Sequence, residues 1–352
     1  MHEHLATYTH TQMSGYVLEV AKLGLRHVFS EGKRNGSSTF RPNSYNSISQ
    51  HVWSSTSSVG KLKAKAAKCR CASSVRAAQQ EDEKEEEKEE EFQVLSALRT
   101  NFNDILIIET PNSRMLLLDS TQNVHSILYK DRKWTGSYWD EFASLPAIVP
   151  KGPIAILGLG GGTIARLMLD LWPSLQLDGW EIDAILIDKA REYLWLSDLE
   201  KRTVAGGILN VCIGDAFSQS VNVSGGYAGI VVDLFSDGKV LPQLQEVTTW
   251  LELKDKLMPN GRIMVNCGGI DEASLVMDET LNTETSSIDG TWVQNSTVKA
   301  LSKAFPGQLS WKRMPKSCGE NYLALTGALP DLSSWSAAVP GPLSVSVKQW
   351  KA

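Results

Sequence analysis

From Phe92 onward the apolar positions come in short runs broken by turn residues. The stretches "FQVLSALRT", "DILIIETPN", "RMLLLDSTQN" and "HSILYKD" each offer one strand of apolar and β-branched residues, followed by Asn, Asp, Thr or Pro. That spacing predicts a small antiparallel sheet of hairpins. "GSYWDEFASLPAIVP" reads as a helix entering a Pro-bounded connection. After Lys151 the pattern becomes an alternation. Strand-like "IAILGL", "QLDGWEI", "ILNVCIGD", "AGIVVDLF" and "GRIMVNC" alternate with helix-like "TIARLMLDLW", "DAILIDKAREYLWL" and "QEVTTWLELKDKL". Helical "STVKALSKAF" and two strands, "QLSWKRM" and "NYLALTG", close the series. Strands alternating with helices imply an α/β fold with a largely parallel, doubly wound sheet. The final stretch, "DLSSWSAAVPGPLSVSVKQWKA", is rich in Ser and Pro and is expected to be a loose extension.

Charge changes the picture at the N-terminal end. Residues 1–80 hold eleven Lys or Arg against three Glu and are crowded with Ser, Thr and Asn. A basic, Ser-rich, acid-poor leader reads as an organelle transit peptide. Ser and Thr outweigh Arg, which favours the chloroplast stroma over the mitochondrion. Next, "EDEKEEEKEEE" repels itself and is expected to be a solvated linker. The expected organisation is therefore a leader over 1–78, an acidic linker over 79–91, a small β domain over 92–145, a Rossmann-like domain over 146–330 and a tail over 331–352.

The same count narrows the chemistry. The formal charge of -5 gives no reason to expect a nucleic-acid partner, and no apolar run is long enough to span a membrane. Five of the six histidines precede residue 52, leaving His125 alone in the folded part. That shortage argues against Ser-His and Cys-His mechanisms. Cys212, Cys267 and Cys318 lack paired spacing, so no metal site or disulfide framework is expected. His125 itself reads as a partly buried strand residue.

The densest chemical signal is "AILGLGGGTIARLMLDLWPSLQLDGWEID". In a doubly wound sheet, ligands approach the backbone at the first strand-to-helix turn. Gly158, Gly160, Gly161 and Gly162 remove the side chains that would obstruct that approach. Glu181, ending the adjacent strand, can accept hydrogen bonds from a ribose, so a nucleoside-containing ligand fits. A dinucleotide expects G-x-G-x-x-G, whereas Thr163 stands in the sixth position here. "IGDAF" puts Asp215 and Ala216 at the third strand end, where a carboxylate can take an adenine amino group. "VVDLF" puts Asp233 over the reacting end of the ligand. These favour S-adenosylmethionine (SAM). Structural alternatives exist for each acid: a helix cap for Glu181 or Asp183, a solvated loop acid for Asp215 and a turn residue for Asp233.

With "LLLDSTQNV", "YWDEF", the glycine loop, "WEID", "IGDAF" and "VVDLFSDG" in place, the chain from Phe92 to Gly327 resembles the spermidine synthase-like branch of the SAM-dependent transferases. The resemblance implies a Rossmann-like, seven-stranded methyltransferase-type sheet preceded by a small antiparallel β domain. It implies SAM or decarboxylated SAM as cofactor and a small-molecule acceptor. It places Gln122, Tyr138, Trp139 and Asp140 on the acceptor side and gives Asp233 and Asp237 the catalytic positions. It further suggests a homodimer through the β domain.

The departures from that family have a chemical direction. Aminopropyltransferases carry an Asp in the loop, where Gly161 stands here. They carry a second acid after the fourth strand, where Ser236 stands with Asp237 one place late. Their Tyr-His pair is Tyr138 and Trp139. Losing carboxylates weakens the binding of a polyamine. An Asp in the loop would repel the carboxylate of intact SAM by roughly 4 kcal/mol at ~4 Å and an effective dielectric near ~20. Methyl transfer from intact SAM is therefore the first expectation. Aminopropyl transfer and a non-enzymatic SAM-binding scaffold are the alternatives, with a nicotinamide-dependent oxidoreductase a distant further one.

Overall fold

The computed structural model describes residues 62–64, 90–121, 123–269, 295–315 and 321–352. Most of the expected leader and acidic linker, and Gln122, lie outside them.

Five strands form the first sheet: β1 (Leu62–Ala64), β2 (Glu90–Arg99), β3 (Asp104–Glu109), β4 (Ser113–Leu117) and β5 (Ser126–Tyr129). They pair antiparallel in chain order. The central β3 contributes Ile105, Leu106, Ile107 and Ile108, all at most 1% exposed, so both of its faces are covered. A short helix α1 (Trp139–Phe142) and a 3-10 turn over Leu145–Ile148 lead into the larger unit.

That unit comprises β6 (Ile154–Leu157), α2 (Thr163–Leu171), β7 (Gln176–Glu181), α3 (Ala184–Tyr193), α4 (Leu196–Leu199), β8 (Ile208–Ile213) and β9 (Tyr227–Val232). It continues through a small hairpin, β10 (Phe235–Ser236) and β11 (Lys239–Val240). Then come α5 (Val247–Asp255), β12 (Leu257–Asn266), α6 (Ser296–Ala304), β13 (Leu309–Arg313) and β14 (Tyr322–Thr326). The strand order is β8-β7-β6-β9-β12-β14-β13. Strands β8 to β12 run parallel, and β14 runs antiparallel to both its neighbours. This is the seven-stranded, mostly parallel sheet expected. The interior strand β6 is apolar at every position because alternate residues enter different cores: Ile154 and Ile156 face one, Ala155 and Leu157 the other.

The C-terminal segment corrects the sequence reading. Residues 331–352 are not loose. Asp331 caps α7 (Leu332–Ala338) by accepting from the Ser334 N–H, and α8 (Leu343–Ser346) follows. Trp335, Val339, Leu343, Val347 and Trp350 are all at most 5% exposed. The first four recur every fourth residue, a helical stripe that the Ser and Pro between them disguise. Lys351 exchanges two backbone hydrogen bonds with Trp311, closing the segment against β13. Beneath it, the Lys312 ammonium lies 2.8 Å from Glu141 of α1, with the two side chains 2% and 4% exposed, and donates to the Ser346 carbonyl. Removing one member strands the other charge in a dry interior. Lys312→Met is expected to lower unfolding free energy by about 3–5 kcal/mol, measured by denaturant titration; a loss below ~1 kcal/mol would show that the pair is hydrated.

Candidate functional site

The loop between β6 and α2 lies against its neighbours without intervening side chains. At Gly158 (φ +90°) a Cβ would collide with the Asp233 carbonyl at the end of β9. At Gly161 a Cβ would collide with Leu194 and lie 2.9 Å from the Ser126 Cβ. A side chain at this position would require Leu194 and Ser126 to shift. The Thr163 hydroxyl, opening α2, donates to the Ile127 carbonyl and accepts from the Ile127 N–H. The small sheet is thus stitched to the loop along β5.

The amides of the loop are all engaged. Gly158 and Leu159 donate to the Trp180 carbonyl, Gly162 to Leu159, Gly161 to the Ser126 hydroxyl at 2.8 Å, and Gly160 to Glu181 Oε2 at 3.0 Å. No N–H between 158 and 162 is left over for a pyrophosphate. Glu181 Oε1 accepts from the Asp183 N–H, so both carboxylate oxygens accept from backbone amides. Burial pushes this carboxyl above its ordinary value, with hydrogen bonds from Gly160 and Asp183 pulling against it. An acceptor pair placed beside a bare backbone suits the two hydroxyls of a ribose.

The adjacent acid serves differently. Asp183 is 1% exposed; its Oδ1 caps α3 through the Ile185 and Leu186 N–H groups. Its Oδ2 accepts from Thr100 at 2.6 Å and Asn103 at 2.9 Å in the β2-β3 turn. The capping role thus belongs to Asp183 and leaves Glu181 to the loop. Asp215, at the end of β8, is exposed and accepts only from the Phe217 N–H in its own turn, beside buried Ala216. Among the described residues no hydrogen bond joins it to the glycine loop.

Asp233 gathers the other wall. Its carboxylate accepts from Tyr138 Oη at 3.3 Å, Trp139 Nε1 at 3.2 Å and Asn266 Nδ2 at 3.0 Å. Burial raises its pKa, and these three neutral donors offset only part of that rise. The sequence reading placed Tyr138 and Trp139 near the acceptor but missed Asn266, whose signal was a polar residue directly after the apolar run 263–265 of β12. Asp140 requires correction: it is 7% exposed, and its oxygens accept from the Thr135 N–H and hydroxyl and the Gly136 N–H. Its carboxylate holds the turn before α1.

Between the small sheet and the β10-β11 hairpin lies a cleft of about 200 Å³, lined among others by Phe102, Asp119, His125, Ser236 and Asp237. Asp237 is exposed at the hairpin turn with φ +49°. Asp119 joins the two walls. It accepts from the Thr121 N–H, from the Gly238 N–H at 3.1 Å and from His125 Nε2 at 3.3 Å. His125, read from sequence as a strand residue, therefore stands in the cleft. Its isolation in the composition was the available signal.

Burial pushes the Asp119 carboxyl up, but hydrogen bonds from His125 and Thr121 outweigh that effect and leave it at about 2. This lies below the ordinary Asp value near ~4. The resulting stabilisation is complete above about pH 4 and is lost as pH falls toward about 2, on the order of 2 kcal/mol in all. Asp119→Asn should flatten that acid limb of stability against pH; an unchanged limb would refute the assignment.

No protein-family model matches the chain. In sequence it is similar to a probable polyamine aminopropyl transferase of Bifidobacterium longum (strain NCC 2705), 28% identical over 192 residues. That match covers 52% of this chain and 41% of the relative, so the chain spans about two fifths of the relative's length. Among solved structures, it is similar to spermidine synthase from Thermotoga maritima (TM-score 0.48, 15% identity, 68% of this chain and 75% of that one). It is also similar to human methyltransferase-like protein 13 in complex with SAH (TM-score 0.41, 19% identity, 60% of this chain and 91% of that one). The chain is thus similar in sequence to a polyamine aminopropyl transferase, and it joins a five-stranded antiparallel sheet to a seven-stranded, mostly parallel one.

Proposed function

We propose that the chain is a transferase that holds a sulfonium nucleoside at the glycine loop and passes an alkyl group to a small acceptor in the cleft. The observation that carries this reading is the pairing of Glu181 with the Gly160 amide, which sets a carboxylate beside a backbone with no side chains. When bound, the donor supplies an electrophilic carbon attached to a positively charged sulfur. The chain's contribution is then largely positioning. Glu181 would take the ribose hydroxyls, and Asp215 and Ala216 the base. Asp233, held by three neutral donors, would orient the reacting end, with Asp237 at the acceptor mouth.

Intact SAM, and so methyl transfer, is the leading form. Leu194 and Ser126 occupy the volume that an acidic side chain at position 161 would need, and no carboxylate there repels that of the donor. The second reading is aminopropyl transfer from decarboxylated SAM. The similarity to the Bifidobacterium aminopropyl transferase favours it, and Asp237 would then face the polyamine. Label from methyl-tritiated SAM entering a small-molecule fraction separates the first reading from the second, which requires a new polyamine from decarboxylated SAM and putrescine.

Calorimetric titration is expected to show SAM binding to the full-length protein. Glu181→Gln should weaken it about 10–100-fold, the worth of hydrogen bonds to a charged acceptor; a wild-type protein indifferent to SAM ends the transferase reading. We propose further that residues 1–78 direct the protein to the chloroplast stroma. Fused to a fluorescent protein, that segment should carry it into plastids, and a cytosolic signal would refute this.

A further inference from the structure

The one imidazole beyond residue 51 stands where the acceptor of the proposed reaction would sit. Its Nε2 lies 3.3 Å from Asp119 Oδ2, and its Nδ1 is shielded from solvent with no hydrogen-bond partner. A buried polar atom without a partner calls for an explanation. The Asp119 carboxylate already accepts from the Thr121 and Gly238 N–H groups, and an ionised carboxylate can only accept. The ring must therefore present an N–H to it, which puts the proton on Nε2. In the neutral ring Nδ1 then carries a bare lone pair. Three conditions of a general base meet at His125: an orienting carboxylate, an unused lone pair and a place in the cleft wall.

We propose that His125, oriented by Asp119, accepts the proton that the acceptor releases during alkyl transfer. This rests on the transferase reading above. The acceptor's nitrogen or oxygen forms a bond to the donor carbon. The carbon–sulfur bond breaks with its electron pair passing to sulfur, which becomes a neutral thioether. The acceptor's proton moves to Nδ1, which the bound acceptor must first uncover, leaving an imidazolium paired with the Asp119 carboxylate. Asp237 and Asp233 are the other acids near this path. Asp237 is exposed on a hairpin turn, whereas Asp233 is enclosed by Tyr138, Trp139 and Asn266. The cleft's other charged residues, Arg99 and Asp104, are paired with each other. That leaves His125 as the base with both an orienting partner and a free lone pair.

Two measurements on the full-length protein test this. In 15N-histidine spectra, the His125 signals are those lost in His125→Gln. Nε2 should carry the proton and Nδ1 none, and Asp119→Asn should mix the two tautomers. A neutral ring protonated at Nδ1 would overturn the proposal whatever the activity. In transfer assays with methyl-tritiated SAM plus a deproteinised plastid extract, and with decarboxylated SAM plus putrescine, His125→Gln should lower kcat about 10²–10⁴-fold. The donor KM and calorimetric binding of S-adenosylhomocysteine should stay near wild type. A variant that binds and transfers as fast as wild type overturns the role of His125 alone. Wild type inactive in both assays removes the transferase reading and this proposal with it.

Discussion

At Gly158 the end of β6 touches the carbonyl of Asp233 at the end of β9 so closely that no side chain can intervene. This contact lies at the point where the sheet order reverses, with β7 and β8 on one side and β9 and β12 on the other. The chain therefore leaves β6 as bare backbone, turns with positive φ and enters α2. Such a crevice is where a doubly wound sheet admits its ligands. The small sheet then closes on the same backbone through Ser126 and Ile127. One steric constraint thus shapes the loop and brings the two sheets together around it.

Environment rather than residue type separates the acids that surround this point. Glu181 is desolvated beside the loop and held by its backbone amides. Asp183, two residues later, spends its oxygens on a helix start and on the β2-β3 turn. Asp215 stays in water. Asp233 is ringed by neutral donors, and Asp119 is held ionised between a hairpin amide and an imidazole. Several of these groups tie the small sheet to the large one, so the cleft walls are held by the residues that would serve a ligand. The C-terminal segment supports the same place from behind: Lys312 and Ser346 fix Glu141 in α1, whose first residue, Trp139, reaches Asp233.

Local pattern was enough to read the strands and helices of the large unit, the hairpins of the small one, and the strand-end positions of Glu181 and Asp233. Apolar periodicity and glycine clustering act over neighbouring residues and survive in a linear reading. Which carboxylate would be consumed was decided in part by partners 80 residues or more away, as for Asp183 with Thr100 and Asn103. His125 acquired its neighbours only when the hairpin met the small sheet, and Asn266 its role only when β12 lay beside β9. The tail stripe was visible at four-residue spacing, yet its significance depended on an apolar surface to cover. The sequence by itself determined the periodicities and the bare turn, because these are properties of adjacent residues. The tertiary structure alone decided solvation, charge state and hydrogen-bond partners, because these depend on atoms brought from distant parts of the chain.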